Sequence, residues 1–436
     1  MPHFRINLLL LSSILVLNGC QQQPATPTPP STIPPQSAAP PMVSDDEAAV
    51  QALTDAGFIL TKDKSGLVVE ASMNAASDIS ATLIHLAGVP NVKVIGLSGP
   101  GMSDKGMENL AKLPKLTHLD LSDSAITDET LKTVARLTNL QVLGLRRTGL
   151  TDPGLEALSK LPNIRAIDLR NSNTTDDGVK HFAGLKTLSD IQLEKSKVTD
   201  AGVAHLSGLQ LKNINLNYCT SISDESMTIL GGMPTLEGIQ LDYTKITDAG
   251  MIHVANLTKL KRLRIRGTDV TGEGLAHIAK LTALQRLELR DTSLDDAGLE
   301  TISNLPNINY LDISECRIAG PDGMKHIGKL TALKYLGFWE TKLNDDAFST
   351  FGNLVNVEEL DLKASRVTDA SVPTLLKMTK LKTLNLAGTQ LTDDGFKQLS
   401  QLPNLKEVNV ANTNIDSSII DELAAKDGLK VIEFEN

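Results

Sequence analysis

Apolar residues return along this chain in a six-residue frame, apolar–x–x–apolar–x–apolar, about once every two dozen positions. The frame opens at Val92 with Ile95 and Leu97. It returns at Leu116, Leu140, Ile164, Leu188, Leu211, Leu236, Leu260, Leu284, Ile308, Leu333, Val357, Leu381 and Leu405, which makes fourteen full units, and a half-unit follows at Leu429 with Ile432 and Phe434. Most units have 24 residues; the unit at 188 is one shorter, and those at 211 and 308 are one longer. Alternation inside the frame predicts a short strand whose first, fourth and sixth residues point inward and whose third, fifth and seventh point outward. Each unit continues through "TD" into "GLxxLxxL", whose apolar residues recur at helical spacing and bury one stripe. A fixed period of this length marks stacked strand-and-helix coils, each pairing its strand with the next in a parallel sheet.

The positions between strand and helix follow the same clock. The ninth residue is small and hydrogen-bonding (Ser124, Thr148, Ser172, Ser196, Cys219, Thr244, Thr268, Thr292, Cys316, Thr341), as expected where the backbone turns and needs a partner. Asp152, followed by Pro153, reads as a helix cap and first helical residue. A small residue comes next (Gly154, Gly178, Gly202, Ser226, Gly250, Gly274, Gly298), which lets neighbouring helices approach. Ahead of the repeats, Ser44–Glu47 reads as a capping box opening a helix over 48–56, and "GFILTKDKSGLVVEASM" as a hairpin turning at 63–66. Residues 44–91 are thus a cap plus a degenerate first unit. At the far end, Glu433 and Glu435 place charge on the last strand, which discourages edge pairing.

The consensus LxxLxLxxTxITDxGLxxLxxLPx resembles the leucine-rich repeat family over residues 92–436, in its ribonuclease-inhibitor-like and cysteine-containing forms; "INLNYCTSISDESM" shows the latter most plainly. The resemblance implies an α/β leucine-rich-repeat solenoid, a horseshoe with a parallel sheet on the concave face and helices on the convex face.

The start of the chain has another character. "MPHFRINLLLLSSILVLNGC" is a basic residue, an apolar run and a small-residue end, the pattern of a signal peptide over 1–19. Leu17–Cys20 resembles the lipobox of bacterial lipoproteins, which implies lipidation at Cys20; by the same resemblance Gln21 points to the outer membrane, with the repeats in the periplasm or at the surface. From Pro24 to Pro41 eight residues are proline, so 20–43 reads as a polyproline-type tether reaching roughly 75–80 Å.

Net charge is −10 with signs interspersed, which argues against a nucleic-acid binder. Cys219 and Cys316 lie four units apart, roughly 19 Å at strand spacing, too far for a disulfide. His181, His205, His253, His277 and His326 share one helix column that elsewhere holds Asn109, Thr133 and Glu422, so the column reads as solvent-facing and not as a metal set. No phosphate loop, nucleophile elbow or HExxH is present, and Asp295-Asp296, Asp345-Asp346 and Asp393-Asp394 suit helix starts. No enzyme, cofactor or metal is expected.

The outward positions carry the functional reading. "KLKRLRIR" puts Arg262, Arg264 and Arg266 on one strand; the next offers Arg286, Glu288 and Arg290. Arg264 and Glu288 can neutralise each other, as can Asp242 and Arg266, whereas Arg262 beside Arg286 and Arg266 beside Arg290 are like charges, a cost that an anionic partner relieves. All four tyrosines and the one tryptophan (Tyr218, Tyr243, Tyr310, Tyr335, Trp339) fall at third, seventh or eighth positions, and Tyr, Trp and Arg are the residues of binding hot spots. The sequence therefore predicts a non-enzymatic, envelope-anchored scaffold or receptor that grips a protein or peptide partner, acidic in part, between Tyr218 and Lys363. The alternative is a glycan or cell-wall binder stacking sugars on Tyr310, Tyr335 and Trp339.

Overall fold

The computed structural model describes residues 43–316, 319–425 and 428–433. The signal-like segment, Cys20, the tether up to residue 42, Phe434 and Glu435 lie outside the described residues. The chain forms two compact units, residues 43–148 with 161–166 and residues 149–160 with 167–433.

The first unit opens on helix α1 (Glu47–Asp55). Its cap is Asp46, whose carboxylate accepts the Ala48 N–H at 2.9 Å. The expected cap, Ser44, is displaced because Asp45 is turned away to accept the Val68 N–H at 2.6 Å. The hairpin forms as predicted: β1 (Ile59–Lys62) runs antiparallel to β2 (Val68–Asn74), and the Asp63 carboxylate accepts the Ser65 N–H at the turn. β2 then pairs in parallel with β3 (Val94–Ser98), followed by β4 (His118–Asp120) and β5 (Val142–Gly144). The hairpin thus covers the first parallel strand.

In the second unit the strands are β6 (Ala166–Asp168), whose first residue ends the other unit, β7 (Asp190–Gln192), β8 (Asn213–Asn215), β9 (Gly238–Gln240), β10 (Arg262–Arg264) and β11 (Arg286–Glu288). They continue as β12 (Tyr310–Asp312), β13 (Tyr335–Gly337), β14 (Glu359–Asp361), β15 (Thr383–Asn385), β16 (Glu407–Asn409) and β17 (Lys430–Ile432). From β7 to β17 each strand is parallel to and in register with the next, an open sheet with helices packed behind it. The core lies between: Leu260, Leu263, Ile265, Leu284, Leu287 and Leu289 are fully buried. The helical segments are short, and several tighten after one turn into 3₁₀ helix, as Asp248–Met251 does into Ile252–Asn256.

Each strand exits through an eighth residue in the left-handed region, including Asp123, Arg147, Asn171, Lys195, Tyr218, Tyr243, Asp291 and Glu315. The ninth residue then satisfies the turn. Thr148, Thr244, Thr268, Thr292, Thr341 and Thr389 each donate the side-chain hydroxyl to the carbonyl three residues earlier, at 2.6–2.8 Å. Cys219 and Cys316 are free and buried, and their thiols instead face the carbonyls of Leu193 and Leu289 in the preceding coil, both at 3.1 Å. Burial pushes both thiols above their ordinary range, Cys316 to about 11.

The "TD" pair has a different role from the one expected. The cap is the threonine: Thr175, Thr199 and Thr247 each accept the N–H two residues on. The aspartate that follows reaches forward to the next repeat. Asp152 accepts the Thr175 N–H at 2.9 Å and hydroxyl at 2.6 Å; Asp176–Thr199, Asp200–Ser223, Asp224–Thr247 and Asp248–Thr271 repeat this. This ladder also explains the recurrent glycine. A Cβ at Gly178, Gly202, Gly250 or Gly274 would lie 2.3 Å from an oxygen of the Asp that opens the preceding helix, so the small residue allows the expected close approach of neighbouring helices and gives that carboxylate its room. Where Ser226 or Ser371 takes that position, its hydroxyl donates to the same carboxylate.

The ladder is interrupted twice. Gly272 and Pro321 stand where the aspartate belongs, and the residues they leave unserved, Asp295 and Asn344, cap their own helices through the Gly298 and Ala347 N–H groups.

Candidate binding face

The ten predicted residues lie on the helix-free side of the sheet in the second unit, in rows set by strand register. Arg262 pairs with Arg286, Arg286 with Tyr310 and Tyr310 with Tyr335, so third-position side chains stand side by side. The Arg286 guanidinium lies 3.6 Å over the Tyr310 ring, and Tyr310 stacks on Tyr335 at 4.0 Å with 5° between the planes. In the seventh-position row Arg290 crosses the small Ser314 to sit 4.2 Å over Trp339, and Lys363 approaches the same indole from the next strand at 5.0 Å. Tyr218 and Tyr243 form a separate pair at the strand exits, stacked at 4.9 Å with Lys195 over Tyr218. Tyr243 lies across Gly267, where a Cβ would come within 2.4 Å of its ring.

These contacts change the electrostatic reading. The expected clash between neighbouring arginines is reduced within the face. Arg264 pairs with Asp242 at 2.5 Å and with Glu288 at 3.6 Å, and Arg266 pairs with Asp242 at 2.8 Å. Arg286 turns to Glu288 on its own strand at 2.7 Å, and Arg290 makes a two-pronged contact with Glu315 at 3.0 and 3.1 Å. The Asp242 side chain is fully buried; desolvation pushes its carboxyl up to about 6 against the pull of Arg266. Burial likewise raises the Tyr310 and Tyr335 hydroxyls, with nearby carboxylates adding to it.

Comparison with known proteins places the repeat. A leucine-rich repeat region model matches residues 293–436, and a single leucine-rich-repeat model matches 112–135, 136–159 and 256–279. These stretches are leucine-rich repeats. Among solved structures it resembles an internalin from Listeria monocytogenes, at 20% identity and TM-score 0.51, over 90% of this chain and 96% of that one. It also resembles a leucine-rich-repeat protein of Leptospira interrogans, at 20% identity and TM-score 0.52, over 80% of this chain and 91% of that one. At that identity the likeness is of fold. No curated protein matches the chain.

Beyond the predicted residues, the leucine-rich-repeat face enlists Asn213, Glu315 and Lys195, which hold or cover Arg262, Arg290 and Tyr218. Each sits at a third or eighth position, so the row numbering could have found it. The histidine column is not uniformly exposed: His205 is, but His181, His253, His277 and His326 are half-buried between successive coils, and Asn109 and Thr133 in the same column are buried. His253 meets the Thr228 hydroxyl at 3.1 Å. No group of three metal-ligating side chains occurs among the described residues.

Proposed function

We propose that this protein is a non-enzymatic binding scaffold whose strand face, from Tyr218 to Lys363, takes a protein or peptide partner. The supporting observation is the row Arg286–Tyr310–Tyr335, held in fixed register on adjacent rigid strands. Large side chains already stacked and ion-paired lose little conformational entropy on binding, the condition under which hot spots form.

The same stacking disfavours the glycan reading. Tyr310 lies between Arg286 and Tyr335, and Trp339 carries cations from both directions along its row, so neither ring is an open platform for a sugar. We further propose anchoring in the cell envelope through a lipid on Cys20, at the outer membrane, on the strength of the sequence pattern alone.

Crosslinking in intact cells with mass spectrometry identifies the partner. Arg286→Glu and Trp339→Ala should each lose it; an unchanged partner set with both variants overturns the site. Retention on peptidoglycan or a glycan array would favour the other reading. Labelled fatty acid should be incorporated by the wild type and not by Cys20→Ser.

A further inference from the structure

Four guanidiniums on β10 and β11 and the turn after β10, those of Arg262, Arg264, Arg266 and Arg286, have two carboxylates between them. Asp242 serves Arg264 and Arg266, and Glu288 serves Arg286 and, at longer range, Arg264. Two further carboxylates feel the charge of Arg262: Glu237, which is taken by Lys261 at 2.7 Å, and Asp190, which is buried behind Asn213. Arg262 makes no ion pair among the described residues. It reaches back across β9 instead, and its Nη2 donates to the Asn213 side-chain oxygen at 2.7 Å. Asn213 is fixed in turn: its amide donates to Asp190 at 2.9 Å, and Asp190 is 3% exposed and also accepts from Gln192 at 2.6 Å. Gly238 makes the crossing possible. A Cβ there would sit 2.7 Å from the Asn213 oxygen and 3.3 Å from Nε and Nη2 of Arg262. Arg262 is thus a solvent-exposed guanidinium laid flat by a buried relay, beside the half-exposed Arg286 on the adjoining strand.

We infer that Arg262, with the charge of Arg286 beside it, is a carboxylate-binding subsite for an acidic side chain of the peptide or protein partner. The two guanidiniums diverge, Arg262 over β9 toward Asn213 and Arg286 over Tyr310 on β12, so the carboxylate is taken by the donors of Arg262 that Asn213 leaves free, and Arg286 adds positive charge from the adjoining strand. The local excess of positive charge, on a chain whose net charge is −10, supplies complementarity to an acidic segment and to no basic one. Asn213 and Gly238 are positioning residues that hold Arg262 in place. The assignment rests on the strand face being the docking surface.

The test is fluorescence anisotropy of a labelled glutamate-rich peptide on the full chain, with a lysine-rich peptide and inorganic phosphate as controls. The acidic peptide should bind and the basic one should not. Arg262→Gln should weaken binding about tenfold, the loss of one charge-assisted contact, and should flatten its salt dependence. Gly238→Ala should weaken it too while leaving every charge in place. Equal binding by wild type, Arg262→Gln and Gly238→Ala overturns the subsite, and phosphate displacing the peptide at matched charge concentration reduces it to a generic anion site. If the subsite fails while Trp339→Ala still loses the cellular partner, the scaffold reading survives alone; if Trp339→Ala and Arg286→Glu both keep the partner, the scaffold reading fails.

Discussion

Asp224 holds Thr247 with both carboxylate oxygens, one on the backbone N–H at 2.8 Å and one on the hydroxyl at 2.6 Å, across the step from one repeat to the next. Gly250 leaves room for that carboxylate, with its missing Cβ 2.3 Å from Oδ1. Gly250→Ala should therefore cost about 1–3 kcal/mol, although alanine is the better helix former by about 1 kcal/mol. In an Asp224→Ala background the same change should be close to neutral. Urea denaturation of the four chains gives the coupling; additive losses would show that the glycine serves some other contact.

The ladder's first interruption predicts a paired exchange. A Cβ at Gly272 would lie 2.1 Å from an oxygen of Asp295. Gly272→Asp alone should lower the melting temperature by several degrees, because two carboxylates then share one space. Gly272→Asp with Asp295→Thr restores the pattern of the other units and should recover at least half of the loss. A double variant no better than the single one refutes the exchange.

Asp242 gives stability a pH dependence of definite sign. Its carboxyl is raised to about 6 by burial, above the unfolded value of 3.8. The folded state therefore keeps the proton after the unfolded chain has released it, and stability is lost as pH rises through the window from about 4 to about 6. The loss amounts to at most about 3 kcal/mol and is flat above that window. Asp242→Asn should remove this slope. Thermal melts of both chains between pH 4 and 7 compare the slopes; parallel curves would mean that Asp242 is ionised throughout.

Most of the fold was legible because burial repeats: an apolar residue that recurs in register leaves the strand no alternative face, and the hairpin before the repeats carries its own turn chemistry at Asp63 and Gly66. The ladder was not legible as such. Thr and Asp were visible in many units, but a carboxylate bonding forward by some two dozen residues resembles a local cap when one unit is read alone. The left-handed eighth position was written in the chain, since Asp123, Asn171, Gly267 and Gly388 favour that conformation, but Tyr218 and Tyr243 in the same column hid it. At the site, the rows were right and the charges were half right. The carboxylates of Asp242 and Glu288 each reach a second arginine, because side chains bend along and across strands where register alone gives only the directly opposed neighbour.

Trp339 is the only tryptophan in the chain, so its fluorescence reports on the face itself. Arg290 and Lys363 cover it. Arg290→Gln with Lys363→Gln should raise acrylamide quenching of that emission to about twice the wild-type constant, since the cations stacked on the ring hold contact area as well as charge. Unchanged quenching would mean that the indole is shielded by something other than its two cations.

The most direct measurement places a photocrosslinking residue at one of two exposed positions in intact cells: Glu359, beside Tyr335 on the strand face, or Ile252, on the helix side. If the sheet is the docking surface, the same partner is captured from position 359 and not from 252, and Trp339→Ala abolishes the capture. Capture from 252 alone, or from both positions regardless of Trp339, contradicts it.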